Sequence, residues 1–163
     1  MPLNILNILK HPVKSRMFLF YKLPSAFFSG VRVREVEETH CKVSVPYKWF
    51  SQNPFRSTYF ACLAMAAEMS TGVLAMTHVY KKDPRGSMLV TALQSEYYKK
   101  AKGRTIFTCS QGRQFEDAVN QAYDSGEPVS FLSESIGTNE KGEQVAKFLI
   151  TWSFKFNSKK STL

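Results

Sequence analysis

The sequence predicts an α+β domain in which an antiparallel sheet curves around one long helix, with a further helix at the N-terminus. Three stretches carry that expectation. Residues 57–80 are mostly apolar and rich in small residues, so a helix there is apolar on nearly all sides and must be enclosed. Ala146, Phe148, Ile150, Trp152, Phe154 and Phe156 share one parity, the two-residue period of a strand with one buried face. Residues 31–46 read as a hairpin. A single apolar helix among antiparallel strands is buried together with one sheet face when the sheet wraps it.

The chain starts with an apolar stretch, Leu3, Ile5, Leu6, Ile8 and Leu9, followed by Lys10, Lys14 and Arg16. A signal peptide carries its positive charge before the apolar stretch, so none is expected here. Leu6, Leu9, Val13, Met17 and Phe20 recur at three- and four-residue intervals, an amphipathic helix interrupted or restarted at Pro12. It either packs on the domain or lies as a basic helix on a membrane surface. Pro24 and Gly30 bracket a connector, which makes 1–29 an N-terminal helical extension and 30–156 the main domain.

Val31 and Val33 alternate with Arg32 and Arg34, and Val36 then falls on the opposite parity, which predicts a bulge. Cys41, Val43 and Val45 alternate in a second strand ended by Pro46, with the turn at Glu38-Thr39. Asn53 or Ser57 is the expected cap of the long helix, with Pro54 near its first turn. That helix is long enough to span a membrane, but Glu68, Ser70 and Thr71 near its middle argue against a transmembrane segment. Residues 88–99 and 104–111 are strand candidates joined by a basic turn. Phe115, Ala118, Val119, Ala122 and Tyr123 mark a short helix that stops at Gly126 and Pro128. A strand over 129–136, a turn at 139–142 and the alternating strand follow. A polar tail, 157–163, is expected to fray.

The 163 residues suit one domain, and 44% hydrophobic against 21% charged residues excludes wholesale disorder. Twenty-two Lys and Arg against thirteen Asp and Glu give +9, a balance that favours anionic partners: nucleic acid, an acidic membrane or a phosphorylated cofactor. A nucleic-acid-binding domain needs an exposed stacking surface, whereas the aromatics here fall mostly in core-facing runs. No nucleic acid is therefore expected as a partner. Cys41, Cys62 and Cys109 are odd in number, far apart in sequence and without metal-ligand spacing, so they read as reduced thiols of a cytoplasmic protein with no metal. No Gly-rich phosphate loop or Ser-His-Asp order is present. His11, His40 and His78 have no evident partner and read as structural.

Glu68 is the only formal charge between Arg56 and Lys81. A carboxylate on so apolar a helix is desolvated, which raises its pKa unless a cation or donor compensates. Two readings stand: a structural carboxylate hydrogen-bonded to an interface or a sheet backbone, and a catalytic or ligand-contacting group. Lys99, Lys100, Lys102 and Arg104 likewise form either a solvated loop or a docking patch for phosphates.

The run from Asn53 to Glu68, Asn-Pro-Phe-Arg-Ser-Thr-Tyr-Phe-Ala-Cys-Leu-Ala-Met-Ala-Ala-Glu, resembles the hotdog-fold thioesterase superfamily, and most of all its uncharacterised thioesterase-like branch. Members carry an Asn before the central helix and an acid on it, followed by small residues. Asn53, Glu68 and Ser70-Thr71-Gly72 match. The Tyr98–Arg104 turn and the closing Gly142–Ala146 and Thr151-Trp152 segments are also similar, so the resemblance spans roughly residues 30–156. It implies a hotdog fold, a homodimer with a dimer of dimers left open, and acyl-CoA sites between subunits. Coenzyme A would enter as part of the substrate, with no separate cofactor. On this resemblance Glu68 is the general base of thioester hydrolysis, or its nucleophile, and Asn53 orients water or carbonyl. The helix start at Tyr59 and Phe60 supplies oxyanion donors. The candidate substrate-binding residues are Arg56, which either touches a phosphate or substrate carboxylate or points to solvent, with Ser57, Thr58, Lys99, Lys100, Lys102 and Arg104. Many members have His-Gly-Gly at the helix start where this chain has Tyr59-Phe60-Ala61, and often Gly where it has Arg56. A hotdog dehydratase would pair a His with the acid, and none stands at that position. The alternative from another class is a non-catalytic acyl or acyl-CoA binding module.

Overall fold

The computed structural model describes residues 5–156; Leu3 and the 157–163 tail lie outside the described residues. The long apolar stretch forms α4, Phe60–Val79, in which Cys62, Leu63, Ala66, Ala67, Met69 and Ser70–Ala75 are all buried. By length and composition α4 could cross a membrane, but two-thirds (67%) of its most apolar window is buried inside the protein. Burial on nearly all sides requires cover on nearly all sides, and the rest of the chain supplies it.

Six strands form one antiparallel sheet: β1 Arg32–Val36, β2 Cys41–Val45, β3 Ser87–Tyr97, β4 Thr105–Cys109, β5 Val129–Thr138 and β6 Gln144–Lys155. Their spatial order is β1-β2-β4-β5-β6-β3, which leaves β3 at an edge. Helix α4 packs against β1, β2, β4, β5 and β6. The predicted bulge in β1 is present as a register shift between Val33 and Glu35. In β6 all of Ala146, Phe148, Ile150, Trp152 and Phe154 are buried, as the alternation requires. The facing β5 turns Ser133, Ser135 and Gly137 inward, where a Cβ on Gly137 would come within 2.6 Å of the Phe107 ring. These small residues let α4 approach closely. Ser70 Oγ and Ser135 Oγ lie 2.7 Å apart, so the contact is hydrogen-bonded rather than orphaned.

Helix α5, Gly112–Ser125, buries Phe115, Ala118, Val119 and Ala122 and ends where expected, with Gly126 in the left-handed region at φ 71°. Asn139 closes the last turn by accepting the amides of Lys141 and Glu143 at 3.0 and 2.9 Å.

The N-terminal segment breaks at Pro12 as expected, and a third short helix follows the second: α1 Ile5–Lys10, α2 Pro12–Lys22 and α3 Pro24–Phe28. Pro12 opens α2 at its first turn, and the His11 ring accepts the Lys14 amide at 3.4 Å. This restart changes the phase. Leu9 and Leu19 are buried in the common core, whereas Val13, Met17 and Phe20 face outward. The aromatics are also less internal than their pattern suggests. Trp49 is 81% exposed and Tyr21 72%, and Phe20, Phe27, Phe28, Phe50 and Trp49 form a chain of ring contacts along this corner. Most of those contacts are edge-to-face, so the rings pack on one another instead of offering a flat platform.

Trp152 ties the sheet to the helix: it is 4% exposed and its Nε1 donates to Thr71 Oγ1 at 3.0 Å. We expect Trp152→Ala to cost about 3–5 kcal/mol in denaturant titration, as large core truncations do. A loss under about 1 kcal/mol would mean the β6 face does not pack on α4.

Candidate functional site

The segment before α4 is shaped by Asn53. Its Oδ1 accepts the amides of Phe55 and Ser57 at 2.9 and 3.3 Å, and its Nδ2 donates to Ser57 Oγ at 3.1 Å. The side chain folds residues 53–57 into a tight loop, the usual use of an Asn at a turn. Inside that loop Arg56 has φ 57°, the left-handed backbone that glycine adopts without cost. The loop displaces the start of the helix, so neither Asn53 nor Ser57 caps it. The cap is Tyr59, with no side-chain hydrogen bond.

This helix start opens on a cleft of about 650 Å³, lined by Asn53, Ser57, Thr58, Tyr59, Phe60, Leu63, Tyr97, Tyr98, Lys99 and Lys100 among others. Thr58 is pinned by its amide and hydroxyl to Ala101 O at 2.8 and 3.2 Å, which brings the basic turn to the helix start. The Tyr59 amide donates to Ser51 O at 2.8 Å and is not free to hold an oxyanion. Among the described residues the Phe60 and Ala61 amides have no acceptor. They are the donors that the helix start presents, at the positive end of the α4 dipole.

Only part of the basic turn faces this cleft. Lys99 lines it but pairs with Glu143 at 2.6 Å, and Lys100 lines it without an ion-pair partner among the described residues. Lys102 is exposed outside the cleft. Arg104 stands near Arg34 instead. Burial, then the repulsion of Arg104 and Arg32, pulls the Arg34 guanidinium below its ordinary pKa. Arg56 is exposed and lines neither cleft nor cavity.

Glu68 is elsewhere. Eight residues into α4 from Phe60, it stands ~12 Å along the axis from the helix start. Its carboxylate lines a second cavity of about 410 Å³ between α4, the N-terminal helices and Trp152, and also an adjoining one of about 300 Å³. No described side chain or amide hydrogen-bonds the carboxylate, and burial raises its pKa above the ordinary carboxylate range. Gly72, one turn on, has room for nothing more: a Cβ there would lie 3.0 Å from the Trp152 ring and 3.2 Å from Glu68 Oε1. Sequence singles out Glu68 and Gly72 but not Met76 and Tyr80, which line the same cavity and whose four-residue steps from Glu68 were the available signal.

The remaining titratable candidates are structural. His40, without an evident partner in sequence, meets Glu35 Oε1 at 2.8 Å across the β1–β2 hairpin. His78 is buried; its Nε2 donates to Glu38 O at 3.1 Å, and burial lowers its pKa. Cys41 and Cys109, far apart in sequence, face each other across β2 and β4. Burial raises both thiols, Cys109 to about 11, which makes them poor nucleophiles. Among the described residues no cluster of His, Cys, Asp or Glu is arranged to hold a metal.

A six-stranded antiparallel sheet around a long central helix is the hotdog fold of the thioesterase-like proteins. The chain belongs to the family described as Domain of unknown function (DUF4442), whose model matches residues 14–154. No curated protein matches it. Its fold is similar to that of a Pseudomonas aeruginosa protein described as of unknown function and a probable thioesterase. The TM-score is 0.75 at 20% identity, covering 89% of this chain and 96% of that one. It is also similar to a Haemophilus influenzae thioesterase, with a TM-score of 0.66 at 7% identity over 93% of this chain and 94% of that one. At such identities the likeness speaks for the fold.

The raised pKa of Glu68 has a stability consequence. Between the unfolded carboxylate range and the higher folded value the native state binds more protons than the unfolded chain, so this group's contribution falls as pH rises through that window. We expect Glu68→Gln to melt above the wild type at pH 7–8 and to lose that advantage at acidic pH. A variant less stable than wild type at pH 8 would mean that the carboxylate is held by a partner.

Proposed function

We propose that this protein hydrolyses acyl-CoA thioesters as a homodimer, with Glu68 as general base. The observation that carries the reading is an unpartnered carboxylate of raised pKa on the wall of a mostly apolar cavity, midway along the central helix. A base whose pKa is lifted toward neutrality is matched to proton transfer near pH 7. In the reaction Glu68 takes a proton from water and the oxygen adds to the thioester carbonyl. The Phe60 and Ala61 amides hold the resulting oxyanion. Collapse breaks the C–S bond, and Glu68 returns the proton to the departing thiolate. The products are a carboxylic acid and coenzyme A.

Base and oxyanion donors must stand within hydrogen-bond reach of one carbonyl, and ~12 Å of helix separates Glu68 from Phe60 in one chain. A second copy supplies what one chain lacks: the helix start of one protomer opposite Glu68 of the partner subunit. The edge strand β3 favours such pairing. It has eleven residues, and Leu89, Leu93 and Tyr97 on it are exposed. An unpaired edge of that length and character is a template for another strand. Lys100 and Lys102 suit the phosphates of coenzyme A. The commitment of Asn53 and of the Tyr59 amide to the loop itself favours the second reading, an acyl-CoA binding module without turnover.

Phe60 allows a clean test. It is the first residue of α4, where proline is tolerated, and Tyr59 before it is extended at φ −62° and ψ 135°. Phe60→Pro therefore removes the N–H with the helix intact, and kcat should fall by roughly 10²–10³. Phe60→Ala, which keeps the N–H, should fall far less. Glu68→Gln should lower kcat by ~10²–10⁴ while acyl-CoA still binds. A mixed dimer of Glu68→Gln with Phe60→Pro should regain one intact site if the sites lie between subunits, and none if each lies within one chain. Wild type that binds acyl-CoA but releases no thiol from any would establish the binding module.

For the basic turn, replacing Lys100 and Lys102 with Ser should weaken coenzyme A binding at low salt. The difference should shrink as ionic strength rises, since exposed charges are screened within ~8 Å at physiological salt. Equal affinity at low salt would make the turn a solvated loop.

A further inference from the structure

We infer that the cavity beneath the N-terminal helices seats the acyl chain and that Met76 of α4 sets its depth. This rests on the thioester reading above and adds a substrate class. The cavity holds about 410 Å³, within the ~300–1,000 Å³ of small-molecule sites. At roughly 30 Å³ for each water-sized group, that is room for an unbranched chain on the order of ten carbons.

The lining is polar at one end and apolar beyond it. Glu68 stands at that end, where a carbonyl under attack has to be. From there Gly72, Met76 and Tyr80 follow at four-residue steps down one face of α4, ~18 Å along its axis from Glu68 to Tyr80. Trp152 and Met88 wall the sheet side. The roof is Leu9 of α1 with Phe18 and Leu19 of α2. The missing side chain at Gly72 keeps the floor open beside the carboxylate, because a Cβ there would press on both Trp152 and Glu68.

Access also fits a chain entering from one side. The adjoining cavity of about 300 Å³ shares Glu68, Met69, Lys22 and Leu23 with the larger one, so the carboxylate stands where the two meet. Among the described residues Lys22 is the one cation on either wall, and it suits an anionic ligand arriving past the rim. Met76 is half-buried and lines the cavity in the turn beyond Gly72, so its size governs how far a chain reaches.

The experiment uses the full chain carrying Glu68→Gln, so that binding is read without turnover, and titrates it with butanoyl-, octanoyl- and dodecanoyl-CoA. Affinity should rise with length by roughly fourfold per methylene, the factor that ~0.8 kcal/mol per buried CH₂ gives, and stop rising when the cavity is full. Met76→Trp should bring that limit to shorter chains and Met76→Ala should extend it, opposite shifts that general unfolding cannot produce. Affinity independent of chain length, or a limit that neither substitution moves, overturns the inference even where the wild type hydrolyses thioesters. Length-dependent binding by a wild type that releases no thiol upholds the acyl seat and overturns the hydrolase reading.

Discussion

The fold depends on the enclosure of one helix. Helix α4 has almost no polar face, so water is a poor neighbour for it on any side, and a single sheet covers only part of its circumference. The strands from β1 to β6 take one side with their inward rows of Val, Phe, Ile and Trp. The N-terminal helices close the other through Leu9, Leu19 and Ala26, which join the same core. Close approach is possible because both surfaces offer small residues, the alanines and Ser70 of α4 against Ser133, Ser135 and Gly137 of β5. The side chains that fix the fold are also those that leave cavities, since small residues on a helix face make room wherever nothing presses in.

Within that enclosure Glu68 is the anomaly. A carboxylate taken out of water costs free energy unless a cation or hydrogen-bond donors replace the solvent, and among the described residues none does. Its neighbours Met69, Val73 and Met76 are apolar, and the nearest small residue, Gly72, adds space rather than a donor. A purely structural acid would be expected to bond a strand or a capping group, as Ser70 and Thr71 do one turn away. The acid instead borders two cavities, an arrangement with no evident packing use.

Much of the fold was legible because its signals were periodic. The single parity of residues 146–156, the phase slip in β1 and the Gly126 stop all rest on local chemistry that tertiary context did not override. The N-terminal face was misjudged for a physical reason: a helix that restarts at Pro12 begins a new phase, so the stripe holds for Leu6 and Leu9 before the break but not for Val13, Met17 and Phe20 after it. The β5 surface was opaque because serines and a glycine facing inward look like a solvated strand until the helix they accommodate is known. At the site, Glu68 stood out as a lone charge, while Asn53 proved to be a loop-former whose hydrogen bonds are nearly all local. The cavity beside Glu68 was hidden because α1, α2, α4, β3 and β6 all contribute to it.

The start and the middle of α4 then have different physical characters, and the proposed chemistry uses both. Its start offers unpaired amides and the positive end of the helix dipole, an environment for developing negative charge. Its middle offers a desolvated acid, an environment that favours holding a proton. Acyl transfer to water needs both at one carbonyl, yet on a single rigid helix they are held apart by two turns. Bending α4 cannot bring them together without breaking the packing that encloses it. An antiparallel pair of such helices can, because the start of one then lies beside the middle of the other. On the proposed reading, the burial of an apolar helix and the division of the site between two copies have one origin, the rigidity of α4.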